Sequence, residues 1–210
     1  MAESYVIGVD FGSDSVRALI VNTETGENVG QGVACYPRWK AGLYQHPEYS
    51  IFRQHPLDYL ESLEKCITTA LAELTEEQKD HVIGIGVDTT GSTPVPVDKN
   101  GIPLALLDEF AENENAMFFL WKDHAAAAEA DEINKLFRNN SENDYTKYQG
   151  DYSAEWYWAK ILYAVRHDEA IRQAAYTWEE HCDWMTGILC GETRPEKIYH
   201  SACAAGHKAL

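Results

Sequence analysis

The sequence predicts an α/β fold, a mixed sheet that opens with an antiparallel three-stranded meander and is flanked by helices. Three observations lead there. Runs rich in Val and Ile occupy residues 5–10 and 16–21, separated only by Phe11-Gly12-Ser13-Asp14-Ser15, which is the layout of a hairpin. A second turn, Thr25-Gly26-Glu27-Asn28, leads into a third run over 29–36, interrupted by Gly30 and Gly32. Beyond it, segments of helical period alternate with short apolar runs.

After a loop rich in Pro and aromatics over 37–54, Leu57, Leu60, Leu63, Ile67, Leu71 and Leu74 recur at helical spacing, with Pro56 at the first turn. Residues 82–87 read as a buried strand. A short strand over 93–97 follows, ended by the turn Asp98-Lys99-Asn100-Gly101. Residues 117–121 read as another strand. Asp123 is placed to N-cap an Ala-rich helix reaching about Phe137. Residues 138–144 are polar and loop-like. Ser153 is placed to cap a helix carrying Trp156, Ile161, Leu162 and Val165. A last helix is expected near 179–188, closed by Gly191; the final residues carry no helix signal.

Composition narrows the function. The 210 residues hold 34 acids against 17 bases, a net charge of −17. Such a surface repels phosphate backbones and argues against nucleic acid as a partner. No run approaches the ~20 apolar residues of a membrane span, and the opening Met-Ala-Glu-Ser-Tyr lacks the layout of a signal peptide. The five cysteines, Cys35, Cys66, Cys182, Cys190 and Cys203, show no metal-knuckle spacing. They read as small buried hydrophobes in a reducing, cytoplasmic compartment. The glycines after the first strand do not form G-x-G-x-x-G, and a strand follows them, which disfavours dinucleotide binding.

The chemistry-bearing segment is Asp10-Phe11-Gly12-Ser13-Asp14-Ser15-Val16-Arg17. An acid ends a strand, and a Gly turn with two hydroxyls follows. Such a turn can offer backbone N–H groups to an anion, and an Asp at a strand end can hold Mg²⁺. From spacing alone, an ordinary hairpin turn explains the segment better.

Four blocks in order make the chain recognisable. Ile7-Gly8-Val9-Asp10-Phe11-Gly12-Ser13-Asp14-Ser15-Val16-Arg17 is the first. Asp88-Thr89-Thr90-Gly91-Ser92-Thr93-Pro94-Val95-Pro96-Val97-Asp98 is the second. The third joins Glu112-Asn113 and Asn115-Ala116-Met117 to Leu120-Trp121-Lys122-Asp123-His124. Ser201-Ala202-Cys203-Ala204-Ala205-Gly206-His207-Lys208-Ala209 is the fourth. Together they resemble the N-terminal part of the FGGY family of carbohydrate kinases, and the Trp-Lys-Asp-His block is similar to that of its members acting on L-ribulose.

The resemblance implies an actin-like, ribonuclease H-like ATPase domain with helices on both faces of the sheet. Residues 1–210 would form the incomplete N-terminal domain of a two-domain kinase, without its nucleotide-binding domain. It implies transfer of the γ-phosphoryl group of ATP, with Mg²⁺, to O5 of L-ribulose, a step of L-arabinose catabolism. Asp10 would take the metal role through water. Gly12, Ser13, Ser15 and Arg17 would bind phosphate, and Asp14 would point elsewhere. Thr90, Gly91, Ser92, Trp121, Tyr152 and Lys208 would bind the sugar, an aromatic face suiting the C–H face of a polyol. The general base, an Asp, would lie beyond residue 210, so the chain alone is expected to be inactive. Asp183 would be structural. Another kinase of the family, for xylulose, glycerol or a different pentulose, stays open, as does a noncatalytic actin-like module that binds a nucleotide or a partner. Whether the chain self-associates is left open.

Overall fold

A computed structural model describes residues 3–207 apart from 141 and 143, and for 206 and 207 the backbone alone. In chain order the elements are β1 (Tyr5–Phe11), β2 (Ser15–Asn22), β3 (Asn28–Cys35), α1 (Pro37–Lys40), β4 (Gln45–His46), β5 (Ile51–Gln54), α2 (Pro56–Leu71), α3 (Glu76–Asp80) and β6 (Val82–Thr89). They continue with β7 (Pro94–Val97), β8 (Phe118–Phe119), α4 (Ala127–Asn139), α5 (Thr146–Gln149), α6 (Tyr157–His167), α7 (Glu169–Ala174), β9 (Thr177–Glu180), α8 (His181–Cys190) and α9 (Ala202–His207). The chain divides into two compact units, Met1–Leu43 with Pro56–Thr90, and Tyr44–His55 with Gly91–Leu210.

The first unit is a four-stranded sheet in the order β3-β2-β1-β6. The expected meander is present: β1 pairs antiparallel with β2, and β2 with β3, while β6 lies parallel to β1. Alternation along β1 sends Tyr5, Ile7, Val9 and Phe11 to one face. There α2 packs, burying Tyr59, Leu63, Cys66 and Ala70. Of the stripe named from the sequence, Leu63 and Leu74 are buried, while Leu57, Leu60, Ile67 and Leu71 are only half-buried. The buried stripe is offset because β3 brings glycines against the helix. A Cβ on Gly32 would stand 2.1 Å from the Cys66 carbonyl oxygen, and one on Gly30 would stand 2.6 Å from that of Ala70. Small side chains let helix and strand approach this closely.

Of the helices expected on both faces, α2 covers one. On the other face Val6, Leu19 and Val33 are exposed. The strand expected to be buried over 82–87 runs to Thr89 and is largely exposed, with Ile83 at 70%. Its unalternating apolar pattern is that of a strand buried on both sides, but among the described residues it pairs only with β1.

In the second unit, β4, β5 and β8 form one small sheet, and β7 pairs with β9. Leu104, Met117, Phe119, Tyr157, Ile171 and Trp178 form much of its core.

Several sequence expectations shift here. The strand over 117–121 shrinks to Phe118–Phe119, and Trp121 lies outside it. The Ala-rich helix starts at Ala127 with Ala126 at its cap, because Asp123 is bound elsewhere. Ser153 accepts the Glu155 N–H, one turn before α6 begins at Tyr157. Glu179 and Glu180 belong to β9, so the last predicted helix begins at His181; Gly191 closes it with φ 71°. A final helix, α9, follows, where none was signalled; Ser201 Oγ accepts the Ala204 N–H. Of the cysteines only Cys66 is buried, while Cys35, Cys190 and Cys203 are exposed. Burial pushes the half-exposed Cys182 thiol up to about 12, far from the thiolate a nucleophile needs.

Candidate functional site

The first unit carries the Asp-Gly turn. β1 ends at Phe11 and β2 begins at Ser15, so Gly12, Ser13 and Asp14 make the connection. The turn closes with the Gly12 N–H donating to the Ser15 carbonyl at 3.0 Å. Tyr36 braces it, its hydroxyl donating to the Gly12 carbonyl at 3.1 Å and its N–H to the Asp14 carbonyl at 3.0 Å. Burial raises the Tyr36 phenol, keeping it a neutral donor.

The phosphate residues named from the sequence separate here. Ser13 is half-buried at the tip. Ser15, in contrast, is buried inside β2 and its hydroxyl donates to Asp14 at 3.1 Å, so its donor serves the turn. Asp14 is exposed.

Asp10 and Arg17 face each other across the hairpin, with guanidinium and carboxylate 3.7 Å apart and both about half exposed. In that setting the ion pair contributes little stability and serves to orient the carboxylate. The parallel pairing sets Asp10 beside Asp88 of β6, an acid to which the sequence alone assigns no role. Asp10, Arg17 and Asp88 stand at one end of a groove of about 890 Å³ along the open sheet face. Two neighbouring carboxylates supply hard oxygen donors of the kind Mg²⁺ prefers, so the residues fit that ion.

The second unit holds most of the residues named for the sugar. Thr90 precedes it, at the end of the first unit and half-buried. Gly91 and Ser92 form the bend before β7, and Ser92 has φ 52°, rare for a residue with a side chain. The next residue is pinned: the Thr93 N–H donates to the buried Glu180 carboxylate at 2.9 Å, and the Thr93 carbonyl accepts the His181 N–H.

Trp121 lies in a turn closed by the Asp123 N–H on the Leu120 carbonyl. Its neighbours are engaged. The Lys122 ammonium sits 4.3 Å from the Phe52 ring centre, His124 lies 2.7 Å from the Glu155 carboxylate, and Asp123 binds Arg53 and the Phe52 N–H. The block is thus a rigid turn that presents the Trp121 ring, 41% exposed, rather than a core tryptophan on a strand.

Tyr152, named for the sugar pocket, braces the fold. It is buried against Ala126, Ala130 and Ala159, and its hydroxyl accepts the Trp158 N–H in the first turn of α6. Tyr152→Phe should therefore lower stability by about 1 kcal/mol in denaturant titration and leave pentulose affinity unchanged. Lys208 lies outside the described residues, directly after α9.

A residue absent from the sequence expectations is Lys160. It is fully buried, and its ammonium donates to the Ser92 carbonyl at 2.6 Å and the Leu120 carbonyl at 2.9 Å. The available signal is a lysine on the face of α6 that otherwise buries Tyr157 and Ala164. Burial pulls its pKa down to about 7. Between there and the ordinary 10.5 the unfolded chain holds the extra proton, so this group makes folding more favourable as pH rises through that window. Denaturant titrations at pH 7 and pH 9 should show this gain in the wild type, and Lys160→Met should lose it.

Glu179 and Asp183, both buried, converge with His200, their ligand atoms within 4.8 Å of one another. The imidazole lies 3.3 Å from Asp183 and 3.7 Å from Glu179. Asp183 also accepts the Ser201 N–H at 2.7 Å, anchoring the segment that leads into α9.

The fold is that of sugar kinases in known structures. Xylulose kinase from Bifidobacterium adolescentis superposes with a TM-score of 0.74 at 17% identity, covering 99% of this chain and 40% of its own. Plasmodium falciparum glycerol kinase superposes with 0.73 at 15% identity, over 99% of this chain and 38% of its own. The profile of the N-terminal domain of the FGGY family of carbohydrate kinases matches residues 5–201, and the chain belongs to that family. It is 52% identical over 209 residues to a ribulokinase from Vibrio parahaemolyticus, and 34% identical over 216 residues to one from Halalkalibacterium halodurans. The chain spans 37% of the length of each. Among the described residues no helix is long and apolar enough to cross a membrane.

Proposed function

We propose that this chain is the sugar-binding N-terminal domain of an ATP-dependent, Mg²⁺-requiring, cytoplasmic kinase that phosphorylates L-ribulose at O5. The observation that carries the reading is the 52% identity to a ribulokinase across 99% of the chain. The adenine-binding half is assigned to the length of the relatives that the chain does not span.

The site supports the reading in chemical terms. Asp10 and Asp88 would hold the magnesium ion, whose charge, when bound, offsets that building on the transferring phosphoryl oxygens. Arg17 holds Asp10 in place, and Ser13 and the backbone of the turn face the phosphates. On the sugar side, Thr90, Gly91 and Ser92 offer short polar groups and close backbone approach, and Trp121 offers its ring face. Lys208 would add a cation near the reacting hydroxyl.

Calorimetric titration of the chain with L-ribulose, D-xylulose and glycerol tests this. L-ribulose should bind tightest, and Trp121→Ala should weaken it at least tenfold. Equal affinity for all three, or for none, would refute the assignment.

A further inference from the structure

We propose that Lys160 is a positioning residue of the sugar site, holding the Gly91–Ser92 bend and the Leu120–Trp121 turn at a fixed separation through one shared ammonium. The inference rests on reading those two segments as the sugar-contacting ones.

The geometry singles out this side chain. The bend and the turn come from separate stretches of the chain, one leading into β7 and one following β8, and neither strand pairs with the other. Lys160 reaches both, at 2.6 Å and 2.9 Å, from a third element, α6. Both acceptors are main-chain carbonyls. The clamp therefore makes no use of the side chains of Ser92 and Trp121.

The Ser92 carbonyl belongs to the residue with φ 52°. A left-handed conformation at a non-Gly residue persists only when its surroundings enforce it. The Lys160 bond on one side and the Thr93–Glu180 bond on the other do so. The Glu180 carboxylate that pins Thr93 also attracts the Lys160 ammonium, offsetting part of what burial costs it. A lysine buried only for packing would not need two carbonyls of two different turns. A sugar spanning Ser92 and Trp121 needs their spacing set before it arrives, since preorganisation removes the ordering cost from binding.

The test uses the 210-residue chain with Lys160→Met, which removes the donors, and Lys160→Gln, which keeps a shorter donor and serves if the first variant does not fold. Ile171→Val, a core change in α7, matches a general loss of stability. L-ribulose affinity should fall at least tenfold in the Lys160 variants and stay within twofold in Ile171→Val. Amide exchange at Thr93 and Asp123 should accelerate at least tenfold in the Lys160 variants relative to Ile171→Val. Unchanged affinity in a folded Lys160 variant overturns the proposal. If the wild-type chain binds no pentulose, the assignment of function falls, and the exchange rates alone decide whether Lys160 holds the two turns. Exchange no faster than in Ile171→Val overturns it.

Discussion

Asp123→Ala is expected to lower the unfolding free energy by about 3–5 kcal/mol, measured by denaturant titration. The carboxylate is completely enclosed and pairs with Arg53, whose guanidinium is itself buried and lies 3.6 Å from the Phe119 ring centre. It also accepts the Phe52 N–H at 2.7 Å and the Ala125 N–H at 3.2 Å. Removing the acid leaves a buried cation without a counter-charge, the costly way to break such a pair. A helix cap, the role its position in the sequence suggested, would cost only about 1 kcal/mol. The size of the loss therefore discriminates between the two roles. Joining Arg53→Met to Asp123→Leu should recover most of it. A double variant as unstable as Asp123→Ala would remove the ion pair as the explanation.

Gly32→Ala should be similarly severe, at roughly 3 kcal/mol. A methyl there meets the Cys66 carbonyl at 2.1 Å. The obstacle is helix backbone, so α2 as a whole must move off the sheet, at the upper end of what overpacking costs. Gly8→Ala is the control. It lies on β1, two strands away in the same sheet, with nothing within 4 Å of the new atom, and a change within about 1 kcal/mol is expected there. Thermal unfolding of the two variants side by side checks the contrast. Equal losses would mean that β-strand propensity, not the approach of α2, sets the cost.

The meander was legible because its strands alternate and its turns carry Gly, Asp and Asn. Helix α2 was legible as a helix, but its buried face was not. The leucines marked one stripe, whereas the glycines of β3 drew Cys66 and Ala70 inward. That preference depends on a strand more than 30 residues away, which no local period reports. The same reason hid the role of Asp123. It has the right residue type for a cap, but the partner that claims it lies 70 positions earlier.

On the site, Asp10 stands at the strand end where the sequence placed it, while Trp121, expected on a strand, lies in an exposed turn. Ser15 and Tyr152 have the right chemistry, but their polar atoms are bonded within the fold. Asp88 acquires significance only from the parallel register beside β1. Lys160 could be flagged only as a charge on an apolar helix face, and its two acceptors are main-chain atoms that no side-chain pattern reveals.

The pairing of β5 with β8 has a consequence for how the chain reaches this state. Arg53 is synthesised early, yet the strand that covers it and the acid that neutralises it arrive some 70 residues later. The first unit is complete by Thr90, so its sheet can form while the β4–β5 segment still waits in water. Closing that long loop is an entropic cost met before the ion pair rewards it. The second unit is therefore expected to fold after the first, with the turn bearing Trp121 ordered only once β5 and β8 have met.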